Sequence, residues 1–101
     1  MKKIINGRKY DTDTAKVIAS YSNDCPCSDF RFFYERLYQK HTKEFFVYGH
    51  GGAMSKYAET CFDGRTGGEN IIPLSLDEAK EWVATHSTVE IYETLFGEVA
   101  E

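Results

Sequence analysis

The sequence predicts an α+β domain, a small antiparallel sheet around a central β-hairpin, covered on one face by two C-terminal helices. Three observations predict it. Residues 30–52, FRFFYERLYQKHTKEFFVYGHGG, place eight aromatic side chains in two runs either side of a polar break. Aromatic and β-branched residues suit a pleated, half-buried surface, so two such runs read as paired strands. Near the start, Asn6-Gly7 sits between short β-favouring flanks, the strongest local hairpin signal. Residues 75–97 carry two capped stretches with apolar side chains at helical spacing.

In chain order, Ile4 to Tyr10 forms the first hairpin, because Asn6 and Gly7 accept the positive φ of a type I′ turn. Asp11-Thr12-Asp13-Thr14 offers oxygen acceptors for a helix N-terminus. With Ala15, Ile18 and Ala19 it predicts a short helix ending near Tyr21. The alternative is a strand with Ala15, Val17, Ala19 and Tyr21 on one face. Residues 22–29, rich in Ser, Asn, Asp and Pro, form a loop.

In the central hairpin the break Lys40-His41-Thr42-Lys43 contains no glycine, so a loop of four or five residues on a type I turn is expected. The expected register pairs Tyr38 with Phe45, Leu37 with Phe46 and Arg36 with Val47. Gly49-His50-Gly51-Gly52 then breaks the strand, Met54 to Thr60 forms at most two helical turns, and residues 61–70 form a second loop. Glu69 to Leu74 returns to strand, with Pro73 marking an edge or an end.

Ser75-Leu76-Asp77-Glu78 is a capping box. Ala79, Trp82, Val83 and His86 follow on one stripe. Residues 87–90 repeat the capping pattern, Val89, Tyr92, Leu95 and Phe96 continue an apolar face, and Gly97 supplies a left-handed stop.

At 101 residues, 42% apolar and 28% charged, the chain has the composition of one soluble globular domain. No apolar run nears the roughly 20 residues a bilayer span needs. The start, MKKIINGRKY, lacks an apolar secretory core, so the expected location is the cytoplasm. The net charge of −4 divides unevenly: residues 1–57 hold ten Lys/Arg against six Asp/Glu, residues 58–101 two against ten. Such a division marks a basic and an acidic face, or acids that simply solvate helices.

Candidate chemistry is sparse, and no catalytic residue, metal or cofactor is expected. Cys25-Pro26-Cys27 with Cys61 is tighter than usual zinc spacing, and no histidine is placed as fourth ligand. Three cysteines in a cytoplasmic protein read as reduced thiols. Gly49 to Lys56 lacks the GxxxxGK[ST] order of a phosphate loop, so its glycines turn the chain. Neither His50 nor His86 has a carboxylate or nucleophile tied to it by spacing. His86, near a helix C-terminus, is expected to favour the dipole as an imidazolium.

Arg31, Arg36, Lys40 and Lys43 interleave with the hairpin aromatics, a pattern that serves phosphates and bases. Most rings are needed for the core. Apolar residues on both strand faces nevertheless leave some of Phe32, Tyr34, Tyr38 or Phe46 for a partner.

Three stretches, KKIINGRKYDTDTAKVIASYS, FFVYGHGGAMSKYAE and NIIPLSLDEAKEW, together resemble small proteins carried by phages and mobile elements of Gram-positive bacteria. The turn KHTKE departs from that group in having no glycine. The resemblance implies an anti-CRISPR protein, a non-enzymatic inhibitor acting on Cas9 or on its guide-RNA assembly. A small RNA- or DNA-binding protein using the basic aromatic hairpin is the alternative. The partner expected is a host protein or ribonucleoprotein complex, with direct nucleic-acid contact open and no membrane. Two contact surfaces are expected. The acids Asp77, Glu78, Glu81, Glu90, Glu93 and Glu98 suit a basic channel on the target. The hairpin tip and outer face, with Arg36, Tyr38, Lys40, His41 and Lys43, supply partner-binding side chains, because Tyr and Arg are enriched in binding hot spots.

Overall fold

The computed structural model describes residues 1–23, 25–26, 28–62 and 64–97. The strands are β1 (Lys2–Ile5), β2 (Arg8–Asp11), β3 (Lys16–Ser22), β4 (Phe33–Gln39), β5 (Phe45–Gly51), β6 (Glu59–Cys61), β7 (Gly64–Thr66) and β8 (Gly68–Leu74). Helices α1 (Leu76–His86) and α2 (Val89–Phe96) follow. A four-stranded antiparallel sheet in the order β3-β4-β5-β8 is flanked by two separate hairpins, β1-β2 and β6-β7. The fold is α+β, with the central hairpin β4-β5 in the middle of the sheet.

Asn6 and Gly7, at φ 52 and 78, make the predicted tight turn, and Ile5 pairs with Arg8. The central register differs by one residue from the expected one: Tyr38 pairs with Phe46, Leu37 with Val47 and Arg36 with Tyr48. The turn explains the shift. Lys43 N–H donates to the Lys40 carbonyl at 2.9 Å and Lys40 N–H to the Glu44 carbonyl at 2.8 Å. Lys43 takes φ 74, the left-handed position where glycine is usual, so residues 40–44 form a five-residue connection, one residue longer than the expected register allowed.

Residues 16–22 are strand, not helix. Asp11 does act as a cap: Asp13 N–H donates to its carboxylate at 2.9 Å and Ala15 N–H to its carbonyl at 3.2 Å. That single turn is not continued, because Val17, Ile18 and Tyr21 fit a pleated surface better than a helix. A bulge between Val17 and Ala19 adds one residue. It lets Ile18 and Ala19 both pack towards the helices while Val17 stays half-exposed.

The helix-side core joins Leu37, Phe45 and Val47 of the sheet to Ala79, Trp82 and Val83 of α1, with Ile91, Leu95 and Phe96 of α2 against it. Burying such side chains contributes about 1.5–3 kcal/mol each. Ser75 and Glu78 form the predicted capping box at 3.1 and 2.9 Å. Thr88, not Ser87, caps α2. Gly97 ends that helix at φ 91. On the opposite face Tyr10 of β2 lies over Tyr38, Phe46 and Ile71, so the N-terminal hairpin roofs one part of the sheet. Pro73 sits in edge strand β8, where its missing N–H costs no ladder bond. No described helix is long and apolar enough to cross a membrane.

Candidate functional site

Period-two alternation turns Tyr34, Arg36 and Tyr38 of β4, Phe46, Tyr48 and His50 of β5, and Glu69 and Ile71 of β8 to the face away from the helices. This face has a covered and an open part. In the covered part Tyr38 and Phe46 stack at 5.1 Å with Tyr10 edge-on to Phe46 at 5.5 Å. Tyr38 is 3% exposed. The expectation that Tyr38 presents a free contact surface is therefore corrected: it does point away from the helices, but the N-terminal hairpin covers it.

The open part is built on two cross-strand pairs, Tyr34 opposite His50 and Arg36 opposite Tyr48. His50 is exposed, with ring centroids of Tyr34 at 5.4 Å and of Tyr48 and Phe32 at 6.2 Å. Arg36 donates from Nε and Nη2 to the Tyr34 hydroxyl at 3.2 and 3.1 Å, and from Nη1 to the Tyr38 hydroxyl at 3.3 Å. Those phenol oxygens, Tyr38 first, raise the Arg36 pKa above its ordinary value. Burial pushes the Tyr34 phenol up, yet hydrogen bonds with Arg36 and Ser20 and the Arg36 charge together outweigh it, and the net shift is down. Tyr48 donates to Glu69 Oε2 at 2.6 Å, and that bond, with burial, pushes its phenol up to about 12.

The other expected contact residues lie at the hairpin tip. His41 and Lys43 are exposed, and the Lys40 ammonium sits 4.3 Å from the centroid of the Tyr10 ring and 3.7 Å from Glu44. Arg8 and Lys9 of the N-terminal hairpin line a cleft with Lys40, His41 and Thr42. Sequence reasoning missed both, because only the fold of that hairpin over the sheet brings them there. Arg8 pairs with Glu44 at 2.9 Å and Lys9 lies 3.9 Å from Asp11. Arg36, half-buried on the open part, is set apart from this tip group.

The helix side carries a buried polar cluster. Glu35, 2% exposed, accepts from Lys56 Nζ at 2.6 Å, from Trp82 Nε1 at 3.1 Å and from the Tyr57 hydroxyl. Burial pushes the Glu35 carboxyl up, but these three bonds outweigh it and hold its pKa below the ordinary value. Burial, then Glu35, pushes the Tyr57 phenol well up. His86 stacks on Tyr21 at 3.8 Å, and burial lowers its pKa. The ring lies half-buried at the end of α1, between Tyr21 and Trp82.

Gly49 and Gly51 do not break the strand: β5 runs through them to Gly51. A Cβ on Gly49 would fall inside the Tyr57 ring, so the glycine permits close packing. Residues 53–58 are turns rather than helix, and β6 pairs antiparallel with β7 where a loop was expected. Cys25 and Cys61 are free thiols, Cys27 and Glu98 lie outside the described residues, and no group of three or more described His, Cys, Asp or Glu could hold a metal. Searches of family models, curated proteins and solved structures find no match to the chain.

Proposed function

We propose that this chain is a non-enzymatic inhibitor that binds a host defence complex, with CRISPR–Cas9 or its guide-RNA assembly as the target. The observation that carries the binding reading is the division of charge across the sheet. Exposed Asp77, Glu78, Glu81, Glu90 and Glu93 lie in the helical layer, while exposed Lys2, Lys3, Arg8 and Lys9 lie in the hairpin on the other face. A sided molecule of this kind orients itself on a partner that has basic and acidic regions, such as a protein holding nucleic acid. The resemblance of the three sequence stretches supplies the target. Contact by Arg36, Lys40, His41 and Lys43 is part of the proposal, with Tyr38 acting beneath them as support. The test is DNA cleavage by purified Cas9 and guide with this protein in excess. Cutting should fall with wild type and recover with Arg36→Ala/Lys43→Ala; undiminished cutting removes the reading for the orthologue used.

A further inference from the structure

We infer that the open part of the helix-free face is a stacking platform for single-stranded nucleic acid, with a base on His50 and Tyr34 and an adjoining phosphate on Arg36. The inference deepens the inhibitor reading, on which its biological setting rests, by naming the part of the target that is gripped.

The state of Arg36 is the first ground. A guanidinium has five N–H donors, and three N–H···O bonds run from Arg36 to phenol oxygens. Neutral phenols fix the plane of the group without cancelling its charge. No carboxylate lies within ion-pair distance among the described residues, whereas Arg8 is paired to Glu44 and Arg31 to Asp29. The remaining donors form a fork suited to phosphate oxygens.

The second ground is the aromatic surface beside it. His50 is exposed and ringed by Phe32, Tyr34 and Tyr48. A flat ring surface accepts any base, since every base has a π-face. The third ground is charge complementarity. The adjoining hairpin carries four exposed cations in β1 and β2, and the helical acids are on the far side of the sheet. Glu69 is an acid on the open part of this face; its Oε2 is held by Tyr48, and its second oxygen can accept from a base amino group. Paired bases are hidden in a duplex, so the platform selects a single strand.

The test uses the full chain and fluorescein-labelled single-stranded RNA and DNA of about ten nucleotides, read by anisotropy without any protein partner. Binding should weaken steeply as salt rises. His50→Ala, an exposed site, should weaken it about five- to 150-fold, the range for loss of one stacked base. Arg36→Lys, which keeps charge but loses the fork, should also weaken it, and Glu81→Gln on the helical layer should not. The RNA and DNA arms report whether the sugar matters. No binding at low salt, equal binding of a duplex, or unchanged binding by folded His50→Ala would overturn the inference. If Cas9 cutting is blocked while no strand binds, the platform fails and the inhibitor reading stands. If strands bind as described and cutting is unaffected, the inhibitor reading fails and the platform stands.

Discussion

Replacing Glu35 by Gln removes a charge from the buried cluster without opening a cavity. The carboxylate accepts at Oε1 from Trp82 and at Oε2 from Lys56 and Tyr57. An amide has one acceptor oxygen. Kept towards Lys56 and Tyr57, that oxygen leaves the amide NH2 facing the Trp82 N–H, donor against donor. Turned towards Trp82, it lets Tyr57 accept from the NH2 while Lys56, half-exposed, swings to water. The second arrangement is cheaper. It exchanges charge-assisted bonds of about 1.5–3 kcal/mol for neutral ones near 1, so Glu35→Gln should cost roughly 1–3 kcal/mol at neutral pH. Glu35→Ala strands two buried donors and should cost roughly 2–6 kcal/mol. The pH dependence has a definite sign. A carboxyl whose folded pKa is lowered contributes stability above its unfolded value and loses it as pH falls through the folded pKa. The gap between wild type and Glu35→Gln should therefore hold above the ordinary value of 4.5 and shrink below it. Asp29, held down to about 2 by Arg31, and Glu44 shift the same way, but they act equally in both proteins. Urea unfolding midpoints at several pH values measure it. A gap that stays constant into acid, or no gap at neutral pH, refutes the account.

Gly49→Ala drives a methyl into the Tyr57 ring and should destabilise by about 1–3 kcal/mol, read as a lower urea midpoint. Lys43→Gly should raise stability by up to about 1 kcal/mol, because it relieves a left-handed lysine in the hairpin turn; thermal melting checks it. Glu69→Gln should bring the Tyr48 phenol from about 12 back towards 10.0, which ultraviolet titration resolves.

Local signals were legible wherever neighbouring residues alone decide the structure. The Asn6-Gly7 turn and the Ser75–Glu78 box depend on side chains a few residues apart, and both form. The acceptors at Asp11 were equally local and also real, yet they cap one turn and no helix. Whether that turn continues depends on β3 finding β4, a partner distant in sequence, and pairing overrode the cap. The central register failed by one residue because a lysine occupies a glycine position in the turn. Nothing in KHTKE announces that, and one residue exchanges every cross-strand partner.

The site was half legible for a related reason. Arg36 was readable, since alternation with Leu37 fixes its direction once Leu37 is core. The cover over Tyr38 was not, because it comes from a hairpin whose own sequence specifies a turn but no docking place. Charge asymmetry was countable along the chain, but it became two faces only when β1-β2 and the helices settled on opposite sides of the sheet. His50 was within reach. Glycines at 49 and 51 were taken to end the strand, whereas two glycines spaced by two lie on one face and mark something pressed against it. Here Tyr57 fills the space over Gly49 and Ser55 that over Gly51. The residue between them must then point the other way, in line with Phe46 and Tyr48. Small residues at alternate positions thus locate close packing on one side of a strand and, by the same alternation, the exposed ring on the other.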